Sequence, residues 1–213
     1  MRNPGRTFFQ LSIKLSLASF VLFLLFYLIA ALNYPGGSYA YPSHPEFSFV
    51  DNYLCDLLDE QAINGHANLA KIYARISLGF LCFGILLFWI HIPELFQRKN
   101  KLLNLMRISG ILSMAITVFL AAGNHDLITR SAGFFGAIAL CLSFIELYRG
   151  GFKIFAYSGI VCLLLIALNF YSYETGFLRR VLPLFQKVTT VICLGWFVIL
   201  NLKLYSKLKS IYI

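Results

Sequence analysis

Residues 16–32 read SLASFVLFLLFYLIAAL, an unbroken apolar run preceded by Arg2, Arg6 and Lys14. Such a stretch is either a cleaved leader or a retained membrane helix. A secretory leader has an apolar core of roughly 7 to 15 residues. This run is longer, so it reads as a first membrane-spanning helix. Five more apolar segments follow, near residues 76–92, 106–123, 131–148, 154–172 and 184–202. Each bilayer crossing uses about 20 apolar residues, so a chain of 213 residues has room for six spans and their connections.

Composition points the same way. Hydrophobic residues make up 59% of the chain and charged residues only 13%, with a mean hydropathy of +0.75; soluble domains carry roughly 25% charged residues. The expected fold is all-α: a polytopic membrane protein forming a single transmembrane domain over residues 1–213. Four of the five cysteines, Cys82, Cys141, Cys162 and Cys193, fall in apolar segments, where a thiol acts as a small hydrophobe. Neither a disulfide framework nor a CxxC metal motif is present.

Lysine and arginine excess marks the cytoplasmic side of a membrane protein. With the N-terminus inside, the inner segments hold Arg2, Arg6, Lys14, Arg98, Lys99, Lys101, Arg107, Arg149, Lys153, Lys203, Lys207 and Lys209, twelve of the 18 basic residues. The outer segments hold Lys71, Arg75, Arg130, Arg179, Arg180 and Lys187, together with seven of the nine acidic residues. Both termini are therefore expected in the cytoplasm. The net charge of +9 lies mostly on helix flanks, which suits anionic lipid headgroups and gives no reason to invoke nucleic acid.

The two faces differ. Inner connections are short and basic (IPELFQRKNK, YRGGFK), whereas the outer face carries one long connection, about residues 34–70, and two turns, GNHDLITR and YSYETGFLRRVLP. A connection of that length is expected to hold structure or to act. Within it Val50, Tyr53, Leu54, Leu57 and Leu58 recur at helical spacing while Asn52, Asp56, Asp59 and Glu60 fall largely opposite, predicting a short amphipathic helix between Phe49 and Ala62 over the bundle mouth. The Pro-Gly-Gly at 35–37 predicts a turn-rich entry, and Asn64-Gly65 a turn that links helices. Ala132, Gly133, Gly136 and Ala137, with Gly79 and Gly84, supply small residues for close helix contact.

Polar residues collect on the outer side. Asn124-His125-Asp126 has three readings: a helix N-cap; with His66 and Asp56, a set of nitrogen and oxygen donors for a metal or an activated water; or a contact to a partner or ligand. On the second reading His125, Asp126 and Asp56 are the catalytic candidates, and His66, His125 and Asp126 the metal ligands. Asp56, Asp59 and Glu60 equally suit a solvated acidic face. Asn52, Asn124, Arg130, Glu174, Arg179 and Arg180 are the candidate binding residues; Arg179, Arg180 and Lys187 suit either a lipid phosphate or pairing with the acidic loop. Asn169 reads as an interhelical hydrogen bond, with a polar pocket as the second reading. No GxSxG, HExxH, Walker or dinucleotide motif occurs, and no cofactor follows from the sequence.

The runs YPGG, FSFVDNYLCDLL and AINGHAN, leading into the second span, resemble bacterial six-span proteins similar to the DRAM/Frag/Sfk-type membrane family. The matching positions are Asn52, Tyr53, Cys55, Asp56 and Leu57, with Asn124, His125 and Asp126 as the second polar turn; Cys55 stands where that family commonly has Ser. The resemblance implies a six-span fold, a bacterial inner membrane and a lipid-related context, without a shared reaction. The expected role is a non-enzymatic or accessory membrane protein binding a lipid headgroup or a membrane protein partner at its outer polar site. The alternative is an intramembrane lipid hydrolase or transferase using His66, His125 and Asp126.

Overall fold

The computed structural model describes residues 4–121 and 124–210. Arg2 lies outside that range, and the side chains of Arg6 and Lys209 are also outside the described set. Six helices form: α1 (Pro4–Leu32), α2 (Lys71–His91), α3 (Lys101–Thr117), α4 (His125–Arg149), α5 (Lys153–Thr175) and α6 (Leu182–Ser210). All six are long and apolar enough to cross a membrane. Each packs on its neighbour in sequence, and α6 returns to α1, closing a ring. One end carries both termini and the short links; the other carries the connection 33–70, here termed the cap, and the α3–α4 and α5–α6 turns.

The helices run past the apolar windows into polar flanks. Asn100 caps α3 by accepting from Leu103 N–H at 2.8 Å, and Gly176, at φ 75°, ends α5 in the left-handed conformation. Small side chains let α1 and α2 approach. Ser16 Oγ donates to Gly84 O at 2.7 Å and Ser77 Oγ to Phe23 O at 2.8 Å, satisfying hydroxyls that lipid would leave unpaired. Ala132 and Gly136 act likewise toward α3: Ser113 Oγ donates to Ala132 O at 2.8 Å. A methyl group built on Gly133 or Gly79 would meet nothing within 4 Å, so close packing does not require glycine at those two positions.

Burial is uneven along the bundle. The main core joins Ile13, Phe88, Trp89, Met106, Leu147, Trp196, Leu200 and Leu204, all in the half nearer the termini. Phe88 meets Trp89 at 5.1 Å and Phe197 at 4.9 Å between ring centroids, and Trp196 Nε1 donates to Phe155 O at 2.9 Å. A second, smaller cluster (Ala30, Ala31, Tyr34, Phe47, Leu57, Ala62, Ala70, Ala74) joins only α1, the cap and α2. The cap is thus docked on the first helical hairpin.

Inside the cap, the predicted amphipathic helix contracts to one 3-10 turn, Cys55–Leu58. Side chains take the backbone donors that a longer helix would use. Ser48 Oγ accepts from Asp51 N–H at 3.1 Å, Asn52 Oδ1 from Ser48 N–H at 2.9 Å, and Asp56 Oδ2 from Tyr53 N–H at 2.8 Å. The glycines are needed where the chain crosses itself. Gly36 and Gly37 have φ of 113° and 83°, and a methyl group on them would lie 2.3 Å from His44 O and 2.4 Å from Asn64 N. Asn64-Gly65 does not simply link helices: it closes an isolated antiparallel bridge between Gln61 and Ala67, with Gly65 at φ 87°.

Candidate functional site

Asn52 is the centre of the cap. Fully buried at 0% exposure, it donates from Nδ2 to Gly37 O at 2.7 Å and to Asp56 Oδ2 at 2.9 Å. Asn68, also buried, donates to Leu57 O at 3.1 Å and Asp59 O at 2.9 Å, holding the 3-10 turn against the start of α2. Burial pushes the Asp56 carboxyl above its ordinary 3.8, against the opposing pull of the bonds from Asn52 and Tyr53 N–H and of nearby Lys187. The Cys55 thiol is pushed up to about 12, chiefly by burial, so it is neither an activated nucleophile nor a poised metal ligand.

Two side chains carry the cap across to α6. Lys187 Nζ donates to Asn52 O and, at 3.2 Å, to Pro183 O, and it stands 5.6 Å from the Phe47 ring centroid. Gln186 Oε1 accepts from Leu54 N–H at 2.9 Å. Sequence reading placed Lys187 among outer basic residues and gave Gln186 no role. A lysine one turn inside an apolar helix was the available signal, because such a charge survives only with a partner.

Around this node the polar turns converge. Asn124 caps α4 by accepting from Leu127 N–H at 3.1 Å, and Asp126 in the first turn suits the helix dipole. His125 Nδ1 lies 3.4 Å from Asp126 Oδ1, which also accepts from the Tyr173 hydroxyl at 3.4 Å. Arg130 Nη2 on α4 donates to both carboxylate oxygens of Glu174 on α5, at 2.9 and 3.1 Å. Glu60 receives both Lys71 and, at 2.8 Å, Arg75; these bonds, Lys71 first, hold its carboxyl below the usual 4.5. Arg179 stacks over the Tyr39 ring at 4.2 Å. Arg180 is exposed and has no ion-pair partner among the described residues.

The proposed ligand set does not assemble. His66 lies with His44, Pro35, Pro42, Pro45 and Ile63 along an open groove of the cap, while His125 and Asp126 line no part of it. Among the described residues, no three His, Cys, Asp or Glu side chains are grouped so as to hold a metal. The physical reason is the Gln61–Ala67 bridge, which pins His66 through the bond from Ala62 N–H to His66 O at 2.8 Å.

The fold and its capped end define an all-helical integral membrane protein of six spans. Compared with known proteins, the chain matches no family model, no curated protein and no solved structure.

Proposed function

We propose that the protein is a non-enzymatic, accessory membrane protein whose cap end, on the outer face of a bacterial inner membrane, binds an anionic lipid headgroup. One observation carries this reading: the cap-end cations are sorted. Lys71, Arg75 and Arg130 are held by carboxylates, and Lys187 by main-chain carbonyls. Arg179 and Arg180, adjacent in the α5–α6 turn, have no carboxylate within ion-pair distance among the described residues. Exposed Phe177, Leu178 and Val181 flank them. Two guanidinium groups beside apolar side chains at a membrane boundary match a phosphate with acyl chains below it. The resemblance to DRAM/Frag/Sfk-type proteins and its lipid context belong to the same proposal.

The rival, a lipid hydrolase or transferase on His66, His125 and Asp126, has less geometric support, because His66 lines a separate groove. The test compares protein in nanodiscs of phosphatidylglycerol or phosphatidylcholine, with Arg179→Gln/Arg180→Gln beside wild type. Wild type is expected to retain phosphatidylglycerol about tenfold better than the double variant, the order of one charge-assisted bond, and to lose that advantage in high salt. Equal retention by both proteins would overturn the reading.

A further inference from the structure

The seam between α5 and α6 is held at two levels. Nearer the termini Trp196 Nε1 donates to Phe155 O at 2.9 Å, and nearer the cap Asn169 Nδ2 donates to Thr189 Oγ1 at 2.7 Å. Phe155, Cys162 and Asn169 recur every seventh residue of α5, and Thr189, Cys193 and Trp196 are spaced by four and three on α6, so each set shares one helix face. The two bonds fix an antiparallel register in which Cys162 and Cys193 oppose each other. Cys193 Sγ lies 4.0 Å from Cys162 O, and the two thiols are in hydrogen-bonding contact. Gly159, one turn from Cys162, keeps the helices close: a methyl group there would lie 2.9 Å from the Trp196 ring. Both cysteines are free thiols. A disulfide requires Cα atoms within about 7 Å, which facing positions on close-packed helices provide.

Depth restricts what can oxidise the pair. Cys193 is eleven residues from Leu182, and Cys162 nine from Lys153. At about 1.5 Å per residue, both fall near the middle of a hydrocarbon core about 30 Å thick. Cys162 is buried and Cys193 partly exposed, with exposed Val161, Leu164, Val191 and Ile192 around them, so the approach is from lipid. Exchange with a water-soluble thiol passes through a thiolate, a charge that hydrocarbon disfavours. A quinone takes up each electron with a proton, so neither reactants nor products are charged.

We infer that Cys162 and Cys193 form a redox-active pair, which a lipid-soluble quinone oxidises to a disulfide joining α5 to α6. Two S–H bonds break, one S–S bond forms, and two electrons and two protons reduce the quinone to its quinol. Cys82 on α2 and Cys141 on α4 stand on other helices and remain thiols. The pair shares no residue with the Arg179–Arg180 turn and does not depend on the headgroup reading. The probe is decylubiquinone, added without air to the reduced, full-length protein in nanodiscs; free thiols are then alkylated and the unfolded chain is digested with trypsin. Arg179, Arg180 and Lys187 lie between the two cysteines, so a disulfide appears as two peptides joined. Wild type is expected to yield that joined pair and an equal amount of quinol, with Cys82 and Cys141 alkylated. Cys162→Ser and Cys193→Ser should each abolish quinol formation. Thiols that stay free in wild type overturn the inference, and this arm needs no variant to fold. Quinol formation that persists in either serine variant also overturns it, as does the same joined pair formed without quinone.

Discussion

At the scale of single residues, the cap is organised by Asn52 and Asp56. Asn52 joins three parts of the loop, through Gly37 O, Asp56 Oδ2 and Ser48 N–H, so both of its carboxamide hydrogens are committed within the cap. Asp56 gives this node a pH dependence. Its folded pKa lies above the ordinary 3.8, so the folded state holds the proton more tightly than the unfolded chain. Stability therefore rises as pH falls through the raised pKa and levels off below 3.8. Asp59, also raised by burial, adds with the same sign. Glu60 acts oppositely, since its ion pairs contribute above 4.5 and are lost as pH falls through its lowered pKa. Asp56→Asn removes only the first contribution. Its melting temperature relative to wild type is expected to be highest at neutral pH and to decline on acidification, measured by thermal unfolding in detergent. A difference that does not vary with pH would show that Asp56 titrates alike in the folded and unfolded chain.

At the scale of elements, helix contacts are decided by where glycine is compulsory. A methyl group built on Gly110 of α3 would lie 2.2 Å from the Trp89 ring, whereas one on Gly79 of α2 would meet nothing within 4 Å. Gly110→Ala is therefore expected to destabilise the bundle by about 1–3 kcal/mol through forced repacking. Gly79→Ala should be neutral or slightly stabilising, through helix propensity. Thermal unfolding of the two variants side by side checks the contrast, and equal effects would mean that α2 and α3 are not packed at that crossing. The sequence pointed to Gly79 as a contact residue and not to Gly110, because hydropathy reports how apolar a segment is and not which face meets a neighbour. The spans themselves were legible for the opposite reason: lipid demands length and apolarity of every crossing. The Asn124 cap of α4 was also legible, as was the Asn169 bond between α5 and α6, since both follow from local chemistry. The loop helix was not. Val50, Tyr53, Leu54, Leu57 and Leu58 have helical spacing, yet Ser48, Asn52 and Asp56 redirect the backbone donors and leave only Cys55–Leu58. The reach of Lys187 and Gln186 from α6 into the cap depends on a contact across more than a hundred residues of chain: a lysine inside an apolar helix signals that a partner exists, but no local pattern says which.

At the scale of the whole molecule, charge is divided between the two ends more sharply than packing requires. The end with the termini carries Lys14, Arg98, Lys99, Lys101, Arg107, Arg149, Lys153, Lys203 and Lys207 against Glu94 and Glu146. Several of these cations rest on aromatic rings instead of carboxylates: Lys153 lies 5.5 Å from the Tyr148 centroid and Lys203 lies 5.9 Å from that of Phe152. Glu146 is buried against Arg149 at 3.2 Å, which leaves little negative charge at that surface. The cap end is more nearly balanced, with most of its acids and most of its cations bonded within the fold. An excess of this kind holds its end on the cytoplasmic side during insertion, so both termini are expected inside and the cap outside. Cysteines introduced at the exposed Ser43 of the cap and the exposed Lys99 of the α2–α3 link separate the two orientations. A membrane-impermeant maleimide applied to intact cells should label Ser43→Cys and spare Lys99→Cys until the membrane is opened. Native background is small on physical grounds. Cys82, Cys141, Cys162 and Cys193 lie within spans, and the Cys55 thiol, pushed up to about 12 by burial, supplies almost no thiolate. Labelling of Lys99→Cys in intact cells, with Ser43→Cys protected, would invert the topology and place Arg179 and Arg180 against the inner leaflet. The headgroup proposal would then have to be tested with the lipids of that leaflet.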